Sequence, residues 1–566
     1  MPYACLALLL LIGVASWFTK LRDLDFWWHI KTGQYILDER GLPGRDPFTF
    51  TSIERDEDMP ERPGVILKSY WLSQIIFFLI YSSAGPLGII LFKSAVFAVI
   101  LVLLWRHLFD NGTSPLLMAI MLAGFVIASR EYAAERPQIF SFLFAAIVLG
   151  LLEKTRKPQR EVGAKSRVEA QKNQNLRLNP NLFFLPFLML LWANMHGGYL
   201  VGMVFILIYA IGLFRRAEAG PPRLQALAVY AVSLALTFLN PVTYHQITSF
   251  VSFQGSILER ETAEFAPLFR LIRAQDVAVY PLLALMAASV VIIAVHVRAL
   301  LPAARSHARD ADPFSLPFEH LVLLSGTLVA SIRSVRYGMF FMIVAVPVVT
   351  QFLSRRISLP LSGGIKKGLF AGIAAVLFLF FLRSPFLEEA RGPLIDQIVI
   401  PVNAAEFIRQ RTPEPNLYND INWGGYLTWR LYPGYRVFSD TRTLNPEIYR
   451  QYLSILTANE RTFFGKPEWK ALLDTYSVRT IVHSAVNPYS GEVYPLMGEL
   501  LKDEMWHLVY FDGVAAILTK DLSPGLAAFP KELLLQEIRL EALRGLGRNP
   551  NHPGFLKTLG MVNTPR

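Results

Sequence analysis

Two carboxylates and a histidine lie directly after the first apolar run of the chain, in the segment RDLDFWWHIKTGQY. Asp23 and Asp25 would point the same way in an extended backbone, and Asp25 and His29, four residues apart, would share a helical face. Side chains of these types can transfer protons or hold a divalent cation. Because aspartate is costly next to hydrocarbon, this pair predicts a functional site.

Further polar residues lie beside the ends of apolar runs, nearly all on one predicted side of the membrane. They are Arg45, Asp46, Arg130, Glu131, Glu135, Arg136, Asn194, His196, Glu259, Arg260, Glu261, Glu264, Arg333 and Arg336. Since ionisable groups near a bilayer are costly, a one-sided set predicts a site. The alternative is that the long side chains reach the interface and only anchor the helices.

The spacing of these residues suggests particular roles. Glu131 and Glu135, four apart, would repel each other on one helical face unless a cation intervenes. Arg333 and Arg336, three apart, could share a face and present guanidinium groups to a phosphate. His196 has no partner at metal-ligand spacing, which argues against zinc. The sequence contains no Walker loop, HExxH, GxSxG or Rossmann glycine pattern.

The composition indicates which elements position these residues. Of 566 residues, 53% are hydrophobic and 17% are charged, and the mean hydropathy is +0.36. Soluble domains average about 45–50% apolar and about 25% charged residues. The chain is therefore predicted to be an α-helical polytopic membrane protein with a C-terminal soluble α/β domain. The single cysteine, Cys5, excludes an intramolecular disulfide.

Eleven apolar runs are predicted to cross the membrane, since about 20 apolar residues span a bilayer. They lie near 3–18, 86–105, 114–129, 137–152, 181–195, 198–214, 224–239, 279–297, 318–332, 337–353 and 367–383. The short run 70–82 is predicted to be an interfacial helix. Residues 1–384 then form a transmembrane module, in which 19–85 is the first outer loop.

Basic residues predict the orientation of this module. With 19–68 outside, the inner loops are rich in Lys and Arg, as the positive-inside rule requires. The polar segment 153–180 is predicted to be a cytoplasmic linker. The net charge of +11 is explained by these loops, so no nucleic-acid partner is expected. An odd number of spans places the C-terminal region outside.

Residues 385–528 form the predicted extracytoplasmic α/β domain. Its predicted strands are NLYND (416–420), RVFSD (436–440) and RTIVHS (479–484), and WHLVYFDGVAAIL (506–518) is a predicted hairpin around Asp512 and Gly513. An amphipathic helix over 530–546 is predicted in the C-terminal segment 529–566.

Five segments make the chain resemble the GT-C superfamily of membrane glycosyltransferases, most closely its bacterial Rgt-like, protein O-mannosyltransferase-like branch. They are DLDFWWHIKTGQYILDERGLPGRDPFTFT, AERPQIFSFLF, WANMHGGYL, RSVRYGMFF and NDINWGGYLTWRLYPGYRVFSDTR. The resemblance implies a multi-pass protein of the bacterial cytoplasmic membrane. It also implies transfer of a sugar from a polyprenyl-phosphate donor to a cell-envelope glycan, lipid or protein acceptor at the outer face.

The resemblance also implies roles for individual residues. An acidic residue of the first outer loop is the catalytic base in that superfamily, which corresponds to Asp25 here, with Asp23 as the alternative. In that superfamily the second outer loop often contributes another acidic residue, which corresponds here to Glu131 or Glu135. From their position on the predicted outer side, and not from the resemblance, the predicted substrate-binding residues are His29, Arg45, Asp46, Glu131, Glu135, Arg136, His196, Arg333 and Arg336. A divalent cation, Mg²⁺ or Mn²⁺, on the two aspartates is left open, and no other cofactor is expected. A single displacement would invert the anomeric centre.

Two other functions compete with this one. A transporter is disfavoured, because the sequence shows no inverted repeats or broken midplane helices. A non-catalytic membrane anchor that presents a glycan-binding outer domain is the stronger alternative. Its binding surface would comprise Trp423, Trp429, Arg430, Asp440 and Arg442, although residues of these types more often form the buried core of a small domain.

Overall fold

Two compact units make up the chain, and each is built from two separate stretches of sequence. Residues 1–19 and 83–392 form the helical unit, and residues 20–82 and 393–566 form the mixed unit. The computed structural model describes residues 2–51, 61–156, 180–215, 221–253, 279–300, 316–356, 363–383, 391–443, 445–463, 465–488, 490–550 and 552–563. Glu259, Arg260, Glu261, Glu264 and most of the predicted linker 153–180 lie outside these residues.

Helices form most of the part of the chain that precedes residue 392. In chain order they are α1 (Pro2–Trp17), α2 (Phe26–Glu39), α3 (Glu61–Lys68), α4 (Trp71–Asp110), α5 (Pro115–Ser129), α6 (Gln138–Arg156), α7 (Leu185–Met195), α8 (Tyr199–Arg215), α9 (Pro221–Leu236), α10 (His245–Phe253), α11 (Val279–Leu300), α12 (Phe318–Arg333), α13 (Gly338–Arg356) and α14 (Gly363–Arg383). Four described helical stretches are long and apolar enough to cross a membrane, and five shorter apolar helices accompany them. The multi-pass membrane class is confirmed, whereas the number of eleven spans stays a prediction.

The core of the helical unit is helix α13. Every residue from Gly338 to Phe352 is buried. A helix that is apolar around its whole circumference must be covered by other elements, which here include α5, α11 and α12. Polar contacts also join helices of this unit. The indole N–H of Trp17 in helix α1 donates to the hydroxyl oxygen of Ser129 in helix α5 at 3.0 Å.

Helix α4 is divided between the two units, because residues 71–82 belong to the mixed unit and the remainder to the helical unit. Its helical backbone is interrupted at Gly85, which has φ 60° and ψ −156°. This conformation is open almost only to glycine, and Pro86 follows directly. The interruption lies at the boundary between the predicted interfacial helix and the next predicted span.

The mixed unit contains a small sheet with strand order β1-β4-β6-β5, formed by β1 (Leu417–Asn419), β4 (Thr480–His483), β6 (Ala516–Thr519) and β5 (His507–Phe511). Strand β1 is parallel to β4, and the other neighbours are antiparallel. A separate ribbon pairs β2 (Thr462–Phe463) with β3 (Lys466–Pro467). The surrounding helices are α15 (Val402–Arg411), α16 (Gly424–Leu431), α17 (Pro446–Leu456), α18 (Glu468–Thr475), α19 (Pro495–Lys502), α20 (Lys531–Arg548) and α21 (Pro553–Asn563).

The predicted strand 436–440 does not form. Only Val437 makes isolated bridges, to Thr49 and Leu417. The Asn419 side chain adds to the backbone bond between the Phe438 N–H and the Leu417 carbonyl, since it also accepts the Phe438 N–H at 2.9 Å and donates to the Ser439 carbonyl at 2.9 Å. The remaining predicted strands, the hairpin and the amphipathic helix are present in the structure.

The first predicted outer loop packs with the C-terminal domain, although the prediction grouped it with the transmembrane module. Leu21 bonds to the backbone of Leu394 and Asp396, both within 2.9 Å. The backbones of Phe48 and Val437 also bond, at 3.2 Å. These contacts join positions almost 400 residues apart, so sequence proximity did not indicate them.

Candidate active site

The predicted site residues are distributed over both units. Asp23, Asp25, His29, Arg45 and Asp46 belong to the mixed unit. The helical unit contains Glu131, Glu135, Arg136, His196, Arg333 and Arg336. Each set has its own geometry.

Asp23 shapes the start of helix α2. Its Oδ1 atom accepts hydrogen bonds from the backbone N–H groups of Asp25 at 2.9 Å and Phe26 at 3.3 Å. This is an Asx turn, in which a short acidic side chain binds the backbone two residues further on. Asp23 therefore has a structural task that its sequence position alone did not reveal.

Asp25 is half-buried at the N-terminal end of helix α2. Its Oδ1 atom accepts a hydrogen bond from the hydroxyl group of Thr441, which belongs to the same unit. The N-terminus of a helix favours negative charge. The carboxylate is thus held at a defined place beside the positive end of the helix dipole.

His29 is buried and links two helices. Its Nδ1 atom lies 3.2 Å from the side-chain nitrogen of Gln74 in helix α4. If the amide nitrogen donates, Nδ1 is an acceptor and a neutral ring carries its proton on Nε2. The ring also contacts those of Trp28 and Tyr70, at centroid distances of 3.6 and 5.3 Å. These contacts indicate that His29 orients the segment.

Asp46 belongs to a buried ion cluster. The Arg442 guanidinium donates to Asp46 at 2.8 and 3.2 Å and to Asp440 at 2.5 to 2.9 Å. All three side chains are almost fully buried. The guanidinium carbon also lies 5.8 Å from the ring centre of Trp28 and 5.3 Å from that of Phe48. Arg45, in contrast, is exposed.

Charge balance in this cluster shifts two pKa values. Burial raises the pKa of Asp440, and the neighbouring Arg442 only partly offsets this. Burial lowers the pKa of Arg442, but Asp440 and Asp46 outweigh burial and hold it above its ordinary value. Arg442 therefore stays charged. Because Asp440 and Arg442 are buried, they cannot form the glycan-binding surface that the alternative function requires.

Glu135 forms a buried ion pair that its spacing to other charged residues in the sequence does not indicate. Lys93 Nζ lies 2.9 Å from Glu135 Oε2 and donates to the Thr19 hydroxyl oxygen at 2.7 Å. Both charged side chains are nearly inaccessible. The signal was a lone lysine within the predicted span 86–105, since a charge inside an apolar run requires a partner.

Glu131 and Glu135 do not share a helical face. Helix α5 ends at Ser129, and Glu131 lies exposed in the 3₁₀ turn Arg130–Tyr132. Arg136 is half-buried before helix α6. The repulsion expected between the two glutamates is therefore avoided by a break in the helix.

Arg333 and Arg336 are also separated by a break. Arg333 is exposed in the last turn of helix α12, Ser334 is extended, and Arg336 lies half-buried in the 3₁₀ turn Val335–Tyr337. They are near each other in sequence but do not lie on one helical turn. The two guanidinium groups could bind one phosphate only from two different backbone segments and not from one helical face.

His196 lies in a buried polar network. Its Nδ1 atom contacts the Ser141 hydroxyl at 2.7 Å and accepts the Gly198 N–H at 2.9 Å. Ser141 also accepts from the indole N–H of Trp192 at 2.7 Å. The neutral ring therefore carries its proton on Nε2. This network joins helices α6 and α7.

A second buried polar cluster was not predicted. His320 Nε2 lies 2.6 Å from Glu153 Oε1, and the Tyr209 hydroxyl donates to the same oxygen. The three residues come from helices α12, α6 and α8. No spacing pattern in the sequence joins them, because each belongs to a different helix.

The residues present fit a divalent cation only in part. Among the residues that the structure describes, no group of three or more His, Cys, Asp or Glu side chains could hold a metal ion. Asp23 and Asp25 supply two carboxylates. Mg²⁺ can bind through one or two carboxylates if water and substrate phosphates complete its coordination. Two carboxylates alone would need such further ligands to hold a cation.

Comparison with solved structures finds similarity over nearly the whole chain. The archaeal oligosaccharyltransferase AglB from Archaeoglobus fulgidus, in complex with an inhibitory peptide and a dolichol-phosphate, matches over 96% of this chain and 78% of its own, with 12% identity and a TM-score of 0.56. The A. fulgidus oligosaccharyltransferase tethered with an acceptor peptide containing the NVT sequon matches over 94% and 75%, with 12% identity and a TM-score of 0.53. ArnT from Cupriavidus metallidurans in the apo state matches over 92% and 97%, with 12% identity and a TM-score of 0.49.

No protein-family model matches the chain, and no curated protein matches it. At identities near 12%, the similarity to the solved structures is one of fold. The resemblance predicted from the sequence is confirmed at that level: the chain is similar in fold to membrane glycosyltransferases of the GT-C superfamily.

Proposed function

We propose that the protein is a membrane glycosyltransferase that moves a sugar from a polyprenyl-phosphate donor to a cell-envelope glycan, lipid or protein acceptor at the outer face of the bacterial cytoplasmic membrane. The observation that carries the proposal is the Asp25 carboxylate, half-buried at the start of helix α2 and hydrogen-bonded by Thr441. The AglB structure with its dolichol-phosphate supports a lipid-phosphate donor class.

In the proposed reaction, Asp25 takes the proton of an acceptor hydroxyl group. The hydroxyl oxygen forms a bond to the anomeric carbon of the donor sugar, and the bond from that carbon to the phosphate oxygen breaks. Polyprenyl phosphate leaves with the bonding electron pair. One displacement of this kind inverts the anomeric centre.

The leaving phosphate requires positive charge. Arg333 and Arg336 are the proposed donors to it, because both are arginines at a helix end and at least partly accessible. Lys93 is a poorer candidate, since it is buried against Glu135. Asp23 and Asp25 would hold any divalent cation, which would neutralise phosphate charge when bound.

Burial of several residues argues against the alternative function, a membrane anchor with a glycan-binding outer domain. Of its proposed glycan-binding residues, Trp423, Asp440 and Arg442 are buried. Trp429 and Arg430 remain partly accessible or exposed, but Trp429 packs against Tyr81 at a centroid distance of 5.5 Å. Trp429 and Arg430 alone do not form an extended surface for sugar binding.

Turnover of a lipid-linked sugar tests the proposed function. Purified protein in lipid nanodiscs is supplied with a panel of polyprenyl-phosphate sugars and envelope extract, and free polyprenyl phosphate is measured by mass spectrometry. We expect release with at least one donor, and protein carrying Asp25→Asn controls for contaminating enzymes. Folded protein that binds envelope glycans but consumes no donor of a broad panel would favour the anchor. Glycan analysis of a deletion strain would identify the sugar.

A further inference from the structure

The hydroxyl group of Thr441 donates a hydrogen bond to Asp25 Oδ1 across 416 positions of sequence. Thr441 follows the segment RVFSD, whose sequence indicates no part in proton transfer. We propose that Thr441 is a positioning residue that holds the Asp25 carboxylate in its working orientation. This inference rests on the proposed function, in which Asp25 is the general base.

Thr441 lies in a tight turn whose neighbouring residues are anchored on both sides. The Asp440 carbonyl accepts the Thr443 N–H at 3.0 Å, which closes the turn. Asp440 and Arg442, directly before and after Thr441, are buried and bonded to each other, and Arg442 is also bonded to Asp46. Because both neighbours are fixed, the backbone that carries the Thr441 hydroxyl is fixed as well.

The backbone of Asp25 is held independently. Asp23 binds its N–H group. Helix α16 packs closely against the first turn of helix α2, because a Cβ atom on Gly425 would lie 3.0 Å from the Leu24 carbonyl oxygen and 3.3 Å from the Trp28 nitrogen. With both backbones fixed, the side-chain torsions of Asp25 remain to be set. A hydrogen bond to a charged acceptor favours one of its rotamers.

This orientation matters for the transfer step. A general base acts only within hydrogen-bond reach of the hydroxyl group from which it takes the proton. A misplacement of about 1 Å can cost about 10²-fold in rate. The C-terminal domain would then contribute to the chemical step itself.

Substitution at Thr441 tests this role with donor kinetics. Thr441→Val removes the hydroxyl group and keeps the shape, and Thr441→Ser keeps the hydroxyl group. We expect Thr441→Val to lower kcat about 10- to 100-fold with a donor KM within about threefold of wild type, and Thr441→Ser to keep about half of kcat or more. Thr457→Val is the matched control, because Thr457 is exposed and bonds only locally to the Leu453 carbonyl among the contacts described.

A double-mutant cycle separates positioning from a general structural effect. If Thr441 acts through Asp25, Thr441→Val costs nothing further in the Asp25→Asn background. Wild-type kcat in Thr441→Val, or an equal loss in both backgrounds, would overturn the inference. Full activity of Asp25→Asn would instead reject the proposed base. Size-exclusion chromatography and thermal unfolding check folding, and Thr441→Ala replaces the valine variant if that variant misfolds.

Discussion

The Asp23 carboxylate accepts hydrogen bonds from two backbone N–H groups, and the Asp25 carboxylate accepts one from the hydroxyl group of Thr441. Two aspartates with one intervening residue thus differ in what they can do. Asp23 fixes the turn that starts helix α2, and asparagine could do the same, because its side-chain oxygen accepts the same bonds. Asp25 accepts a hydrogen bond from the Thr441 side chain instead. The geometry favours Asp25 over Asp23 as the proposed base.

The arginines near 335 give a prediction at the residue scale. Arg333→Lys and Arg336→Lys keep the charge but lose the planar guanidinium fork. If the two residues bind the donor phosphate, we expect each change to raise the donor KM about threefold to 30-fold, equivalent to one or two weakened charged hydrogen bonds. Arg355→Lys, in the last turn of helix α13, is the matched control. Donor affinity that is unchanged in both single variants would make these arginines interface anchors.

At the element scale, helix α2 approaches helix α4 at Gly33. A Cβ atom on Gly33 would lie 2.2 Å from the Gln74 carbonyl oxygen, and a backbone oxygen cannot rotate away as a flexible side chain could. Compared with glycine, alanine stabilises a helix interior by about 1 kcal/mol. Forcing an extra methyl group into a packed contact costs about 1–3 kcal/mol, and here the contact is with backbone.

We therefore expect Gly33→Ala to lower the unfolding temperature and to reduce donor turnover, because it displaces helix α2, which directly follows Asp25. Gly44→Ala is the matched control in the same segment, since the space around a Cβ atom there is open to 4 Å. Thermal unfolding of the purified protein measures both. Equal unfolding temperatures for the two variants would show that the helices can separate without cost.

Helix breaks explain where the spacing arguments failed. Glu131 and Glu135 have a spacing that could place them on one helical face, and so do Arg333 and Arg336. In both pairs the regular helix ends before the second residue, and a 3₁₀ turn follows or contains one member. Periodicity predicts which residues share a face only while the helix continues, and polar residues near the end of a predicted span are where it stops.

At the scale of the whole molecule, local patterns predicted the elements well. Strands β1 and β4, the β5–β6 hairpin and the amphipathic helix α20 all depend on residues close in sequence. The membrane class followed from composition. The association of residues 20–82 with 393–566 did not, because it depends on contacts such as that between Asp46 and Arg442, which are 396 positions apart.

This association changes how the C-terminal domain should be tested. Deletion of residues 400–566 would remove Thr441 and Arg442 and leave Asp46 without its buried partner. Loss of one member of a buried ion pair is strongly destabilising. A truncation would therefore disturb the segment of Asp25 as well as any acceptor site. Point substitutions are the better test of this domain.

The most direct test of the central claim compares Asp25→Asn with Asp23→Asn in the donor assay. Asp25→Asn keeps the shape and removes the proton acceptor, so we expect kcat to fall about 10²- to 10⁴-fold with donor binding retained. Asp23→Asn keeps the Asx turn and should stay within about tenfold of wild type. Near-normal transfer by Asp25→Asn would contradict the account. If Asp23→Asn were then inactive, the base would be Asp23, and full activity in both would remove this segment from the chemistry.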